Sequence, residues 1–368
     1  MKAASVRPAR ILVTGGAGYV GSVLVAQLLA RGFSVRVLDS FLFGDKSLES
    51  VRTNPGCELV PGDVRDAAVA ARAMKKCDAV VHLAAIVGDP ACDANRQLAA
   101  EVNRTSTRML VDLARSTGVK RFVFASSCSV YGASDSLLDE TSALNPLSLY
   151  ARTKVDSENA LLAARSRGFA PTVLRLGTLF GLSSRMRFDL VVNLFVARAA
   201  SEGRITVFNA EQWRPFLHVH DAARAVIACL EAAPGAVAGK IFNAGSPDLN
   251  LRIRDVGEAI GRAIPETAIE HIENGADRRN YHVSFDKIRR ALGFECERNL
   301  EGGIAEIYAA IRSGLMADFA ARPSRTHVVR GPAPVNAQTP AALHAEQSRG
   351  AAKRTAQALA RASVTARA

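Results

Sequence analysis

Metal-ligand spacings and membrane-length apolar runs are missing from this 368-residue chain. Its six cysteines, at 57, 77, 92, 128, 229 and 296, never stand in a C-x-x-C pair, and no paired Cys/His pattern accompanies them. That excludes a zinc module, leaves no metal expected, and predicts free thiols in a reducing compartment. No run of about 18 uncharged apolar residues occurs, and no apolar stretch precedes Ile11. A soluble, cytoplasmic protein without a membrane partner is the expectation. Acidic residues are scarce only at the ends. Residues 1–10 carry Lys2, Arg7 and Arg10 with no acid, and residues 320–368 carry eight basic residues against Glu346 alone. Ten units of the net charge of +12 therefore sit at the termini, while 11–319 holds 36 basic and 34 acidic residues. A nearly neutral body makes nucleic acid an unlikely partner. A composition of 48% hydrophobic and 22% charged residues excludes disorder throughout.

Short β-branched apolar runs alternate with longer helical stretches from Arg10 to about Leu176, the pattern of a parallel sheet covered by helices. The strands expected are Ile11–Val13, Ser34–Leu38, Glu58–Val60, Ala79–Leu83, Arg121–Ala125 and Thr172–Leu176. Between them apolar residues recur at helical spacing, as at Val20, Val23, Leu24 and Leu28, or Met109, Leu110 and Leu113. The fold class expected is α/β: a doubly wound parallel (Rossmann) sheet with a smaller α/β substrate-binding lobe and a disordered C-terminal tail. The Rossmann domain is placed at 10–182, completed by about 216–247. The lobe is placed at 183–215 and 248–319. The basic tail is 320–368, within which 350–362 has some helical pattern.

Ile11-Leu12-Val13 runs straight into Thr14-Gly15-Gly16-Ala17-Gly18-Tyr19-Val20-Gly21 and then an apolar-periodic helix. Strand, glycine turn and helix N-terminus together present backbone N–H groups to a pyrophosphate, and a Cβ would block the turn or the approach. A glycine triplet alone also makes a plain tight turn. The next strand, however, ends at Asp39, eighteen residues after Gly21. A carboxylate there accepts from an adenosine ribose and repels a 2′-phosphate, so the cofactor expected is NAD. Gly62-Asp63-Val64 follows the third strand, where Asp63 can meet the adenine amino group, or Asp63 or Asp66 can cap a helix. His82-Leu83-Ala84-Ala85 closes the fourth strand with small residues suited to a backbone passing close to a cofactor; His82 reads as structural.

Tyr150 and Lys154 lie four residues apart on one helix face. A phenol of pKa about 10 is a poor base at neutral pH, and each unit of depression requires about 1.4 kcal/mol. A fixed ammonium, aided by an oxidised nicotinamide, is expected to lower it. Tyr150 then removes a hydroxyl proton as hydride leaves the same carbon. Ala125-Ser126-Ser127-Cys128-Ser129-Val130-Tyr131-Gly132, one strand earlier, supplies a hydroxyl for the same substrate oxygen.

With these motifs in this order, together with Val102-Asn103 and Arg214-Pro-Phe-Leu-His-Val-His-Asp221, residues 10–312 resemble the extended short-chain dehydrogenase/reductases of the NAD-dependent sugar-nucleotide epimerase/dehydratase family. The resemblance implies Ser127, Tyr150 and Lys154 as catalytic residues. It implies Gly15, Gly18, Tyr19, Val20, Gly21, Asp39, Asp63, Val64, Leu83, Ala84, Ala85, Asn103, Tyr150 and Lys154 around the cofactor. Ser127, Cys128, Asn193, Arg214 and Arg278 are implied for the nucleotide-sugar substrate, with Arg185, Arg187 and Arg279 also within reach. Arginine suits a diphosphate because its planar fork meets two oxygens at once. A homodimer built on helices around 96–117 and 148–166 is implied too.

Family members that dehydrate carry Asp-Glu after the active-site hydroxyl, and those that decarboxylate a glucuronate carry Glu there; this chain has Cys128 and Ser129. That leaves 4-epimerisation, with Tyr150 as base, or reduction of a nucleotide 4-keto-sugar. A small buried thiol is the commoner role for a cysteine like Cys128, against an acid/base role as in the GDP-fucose synthases. Galactose-type epimerases have a lysine where Val87 stands and an arginine where Asn274 stands, which points to a less common nucleotide sugar. The reading from another class is a non-catalytic dinucleotide sensor or nucleic-acid binder using the basic ends.

Overall fold

The computed structural model describes residues 8–273 and 277–314, all within one compact unit. The tail at 320–368, the helical pattern at 350–362, Lys2, Arg7 and Asn274 lie outside the described residues. Seven strands form the central sheet: β1 (Arg10–Thr14), β2 (Ser34–Asp39), β3 (Cys57–Pro61), β4 (Ala79–His82), β5 (Arg121–Ser127), β6 (Ala170–Leu176) and β7 (Lys240–Ala244). Their order is β7-β6-β5-β4-β1-β2-β3, and every pairing is parallel. The chain starts in the middle, winds outward to β3, then returns past β1 to β4. Ligands bind such sheets at the carboxyl ends of the strands beside that reversal.

Alternation along the strands explains why both faces are covered. Ile11, Val13, Val37, Val81, Val123 and Leu174 point into one core, and Leu12, Leu38, Val80, Phe122, Phe124 and Val173 into the other. The first core is closed by α1 (Tyr19–Ala30), with α6 (Val219–Glu231) beside it. The second is closed by α2 (Ala67–Met74), α3 (Ser106–Ser116) and α4 (Leu149–Ala163). Helices α2 and α4 start at side-chain caps. Asp66 accepts from the Ala68 and Val69 amides at 2.9 and 3.0 Å, and Ser148 Oγ from Ala151 at 3.2 Å. Ser148 thereby fixes Tyr150 in the first turn of α4.

A separate core holds α5 (Val191–Glu202), α7 (Ile253–Ala263) and α8 (Leu300–Arg312) together with the parallel pair Arg204–Phe208 and Ala268–Ile272. The segments expected in the lobe do not all go there. The Asn280–Val283 strand pairs in parallel with Ala133–Leu138, so Tyr281, Val283, Phe285 and Ile288 join the first core of the sheet. Its alternation buries Tyr281 and Val283, and the pairing with Ala133–Leu138, whose register shifts between Asn280 and His282, overrides position in sequence. Among the described residues no helix is long and apolar enough to cross a membrane, and no group of three or more His, Cys, Asp and Glu could hold a metal ion.

Candidate active site

The loop between β1 and α1 turns at Gly15, whose φ is +72°. A Cβ there would stand 2.7 Å from the Ala84 amide nitrogen, and one on Gly21 would stand 2.3 Å from Gly15 O. Neither close approach admits a side chain. Gly18 is the N-cap of α1 and offers no side-chain cap, so the first N–H groups of the helix, at Tyr19, Val20 and Gly21, face the loop mouth. Asp39 closes one side of the loop: Oδ2 accepts from Ala17 N and Oδ1 from Phe41 N, both at 2.9 Å. Burial raises its pKa, against the pull of those amides and of Arg185. A narrow backbone cradle at a helix N-terminus with a carboxylate beside it fits a dinucleotide.

Around this cradle, the β4 end is braced rather than reactive. His82 Nδ1 lies 2.7 Å from Thr14 Oγ1 and Nε2 lies 2.9 Å from Thr107 Oγ1. Burial pushes His82 down to about 3, so it is a neutral strut. The next residues run alongside the cradle, with Leu83 N donating to Thr14 O at 3.1 Å and Ala84 N to Thr14 Oγ1 at 3.4 Å. Ala85 follows, and Asn103 then clamps the chain at Ile86: its Oδ1 accepts from Ile86 N and its Nδ2 donates to Ile86 O, both at 2.8 Å. After β3, Asp66 takes the capping role and Asp63 does not. Burial works against the Asp63 carboxylate, yet Arg65 grips it through Nη2 at 2.7 Å and holds its pKa below the usual range. Arg65 also reaches Glu101 at 2.8 Å. Val64 is buried in the sheet core.

Helix α4 packs on β5 and on the Cys128–Tyr131 turn that follows it, which brings Tyr150, Lys154 and Ser127 to one end of the sheet. Lys154 is buried; its Nζ donates to Ala125 O at 2.7 Å and stands 5.6 Å from the Tyr150 ring centroid. Burial lowers its pKa to about 8. The sign expected at Tyr150 is reversed on the protein's own groups. Burial pushes the phenol above its ordinary value, and Arg187 is the cation that pulls it back. Arg187 pairs with Asp189 at 2.5 Å, and both lie beside Gly88. Segments carrying Asp89, Cys92, Arg187 and Tyr281 thus converge on Tyr150.

Ser127 Oγ accepts from Ser129 N at 3.1 Å. Cys128 is 1% exposed, its Sγ donates to Arg175 O at 3.3 Å, and burial raises its pKa. The structure therefore corrects its assignment to the substrate: the side chain sits in the core, at the start of the Cys128–Tyr131 turn that follows β5. Asn193 is also fully buried and is spent on the chain. Its Oδ1 accepts from Gly181 N at 3.1 Å, and its Nδ2 donates to Arg187 O and the Tyr19 hydroxyl at 2.9 and 3.2 Å. Arg214 is held by Gln212 and Asp277 at 3.0 and 3.2 Å and by the Trp213 and Arg279 carbonyls. Arg278 is exposed. Its neighbour Arg279 is the one that faces inward, gripping Asp277 at 2.7 Å and reaching Asp89 at 3.4 Å.

Sequence reading missed Asp89, Tyr281 and a buried charge pair behind the site. Glu158 and Arg175 meet at 2.7 Å with side chains 2% and 3% exposed. Glu158 also takes the Ser126 hydroxyl, while Arg175 Nη1 donates to the Tyr131 hydroxyl at 2.9 Å. The signal for Glu158 was present, since it continues the Tyr150, Lys154 stripe by one more turn.

Comparison with known proteins agrees with this geometry. Residues 11–245 match the family model described as NAD dependent epimerase/dehydratase family. A UDP-glucose 4-epimerase of Corynebacterium glutamicum is 30% identical over 328 residues, covering 83% of this chain and 96% of the relative. A crystal structure of dTDP-glucose 4,6-dehydratase from Streptomyces venezuelae with NAD bound superposes with a TM-score of 0.76 at 29% identity, covering 84% of this chain and 98% of that one. The NAD complex of Thermus thermophilus UDP-glucose 4-epimerase gives a TM-score of 0.72 at 28% identity, with 82% and 99% covered. The chain belongs to the NAD dependent epimerase/dehydratase family, and NAD is its cofactor.

Proposed function

We propose that the chain is a nucleotide-sugar 4-epimerase that oxidises C4 transiently. The observation that carries this is the makeup of the β5 end. Ser127, Tyr150 and Lys154 supply a hydroxyl, a phenol and an ammonium, while the positions after Ser127 hold a buried thiol and Ser129 instead of a second acid and base. Elimination or decarboxylation needs an additional proton carrier there; redox at C4 alone needs none. Relatives of similar identity are named as UDP-glucose 4-epimerases, as a dTDP-glucose 4,6-dehydratase and as decarboxylases, so the choice among them rests on the β5 end.

NAD, when bound, supplies the hydride acceptor and donor. The residues of the chain do the rest. Gly15, Gly18 and Gly21 with the first turn of α1 would hold its pyrophosphate, and Asp39 its adenosine ribose. Tyr150 exchanges the proton of the C4 hydroxyl, and Ser127 hydrogen-bonds the same oxygen. Lys154, fixed by Ala125 O, keeps a positive charge under the Tyr150 ring and favours its phenolate. Arg187 adds a second positive charge that favours the phenolate. Arg214 and Arg279 stand where a diphosphate can displace Asp277 as their partner. Two copies pairing through α3 and α4 complete the proposal, and light scattering of the purified protein reads that directly.

The test is incubation of the purified protein with a panel of nucleotide sugars and no added cofactor, followed by proton NMR. A C4 epimer formed under these conditions supports the proposal. A 4-keto-6-deoxy product, or turnover that strictly consumes added NADH, overturns it.

A further inference from the structure

Two segments without a role so far fasten the glycine cradle from opposite sides. On one side, Ser47 Oγ donates to Ala17 O at 2.8 Å, and Asp39 takes the Ala17 amide. On the other, Ser183 Oγ donates to Tyr19 O at 2.7 Å and lies 3.0 Å from Ser22 Oγ. The segments that carry these anchors meet outside the cradle, through Phe43 just ahead of Ser47 and Arg185 just after Ser183. The Arg185 guanidinium carbon lies 4.0 Å from the Phe43 ring centroid. Arg185 Nη1 donates to Met186 O at 2.5 Å, which fixes the head group.

Three observations make this contact more than surface packing. Phe43 is 54% exposed, a large apolar ring held at the lip of the cleft. Phe41, two residues before it, adopts φ +51°, a left-handed conformation that a bulky residue keeps only where its surroundings enforce it. The Asp39 carboxylate accepts from Phe41 N at 2.9 Å and ties this segment to the cradle. Finally, Arg187 is neutralised by Asp189, whereas among the described residues no carboxylate is in ion-pair contact with Arg185. Burial and Arg187 work against its charge, and Asp189 and Asp39, the latter at the cofactor cradle itself, favour it.

We propose that Arg185, stacked on Phe43, is a cofactor-binding residue that supplies positive charge to the anionic diphosphate of NAD at the outer edge of the glycine cradle. A guanidinium can stack its face on a ring and keep edge N–H groups for a phosphate, which an ammonium cannot do. The cradle's own positive potential is only the partial charge of a helix N-terminus, and the Asp39 carboxylate opposes it. Arg185 offsets that carboxylate and, with Phe43, joins the two lips over the adenosine side. The inference needs NAD as cofactor but not any particular reaction.

The experiment uses full-length protein and reads bound NAD rather than turnover. NAD per chain is measured after denaturation, and exchange of bound NAD is followed with radiolabelled NAD at low and high KCl. Arg185→Ala should exchange NAD on the order of ten-fold faster than wild type and lose most of the salt dependence. Arg185→Lys and Phe43→Leu should fall between, since one keeps the charge without the plane and the other keeps an apolar surface without the ring. Wild-type exchange and salt dependence in Arg185→Ala would overturn the proposal. Should that variant not fold, wild-type exchange in both Arg185→Lys and Phe43→Leu would overturn it equally.

Discussion

Ser126 and Ser127 are neighbours at the end of β5, and the pleat sends them to opposite fates. Ser126 is buried against Glu158, inside a chain of charge-assisted hydrogen bonds through Arg175 and Tyr131 to Asn243. Ser127 is half-buried, caps a single turn and stands at the open end of the sheet with Tyr150. The back region is polar and satisfied, so its groups have one arrangement. The front region leaves its hydroxyls available for a substrate. The rear network serves as the frame that holds the front in register, because α4 carries both Glu158 and the Tyr150/Lys154 pair.

Substitutions on the two sides should separate these roles. At the front, Tyr150→Phe should lower kcat by about 10³-fold with thermal stability kept; loss of stability without loss of turnover would reverse the assignment. Removing the Ser127 hydroxyl as Ser127→Ala should cost about 10²-fold in kcat, read in the same assay. At the back, Glu158→Gln leaves Arg175 uncompensated and should cost about 3–5 kcal/mol of stability, measured by urea denaturation. Glu158→Leu with Arg175→Met should recover part of that loss. Cys128→Ala should be the mildest change, with kcat within about two-fold and a stability loss of about 1 kcal/mol; a large kcat loss would return the thiol to the reaction.

Lys154 joins the two regions and can be read by pH. Its folded pKa of about 8 lies below the ordinary 10.5, so between those values the unfolded chain binds more protons. Stability should therefore rise with pH across that window as the buried charge is relieved. Turnover should fall over the same range as the ammonium is lost. Lys154→Met should flatten both curves, which denaturation and rate profiles at matched pH would show.

Much of the front was legible in the sequence because it is local. The glycine turn, Asp39 at a strand end and the Tyr150/Lys154 spacing are each set by one element, and all six expected strands formed. The back was not read because Glu158 and Arg175 come from a helix and the strand after it, 17 residues apart, and nothing in either segment alone announces their pairing. The Asn280–Val283 strand misled because its partner lies about 145 residues earlier. Cys128 and Asn193 were assigned by position in a motif, whereas burial depends on which way each side chain points. Tyr150 shows the limit for electrostatics: spacing identified the lysine, but the dominant effect is desolvation, which only packing reveals.

Transient oxidation at C4 is tested most directly by a nucleotide sugar carrying deuterium at C4, incubated with the purified enzyme without added cofactor. The expected result is an epimer that retains deuterium at C4, since the same hydride equivalent leaves and returns within one turnover. Deuterium lost to the solvent-borne cofactor pool, or moved to C6, would contradict it.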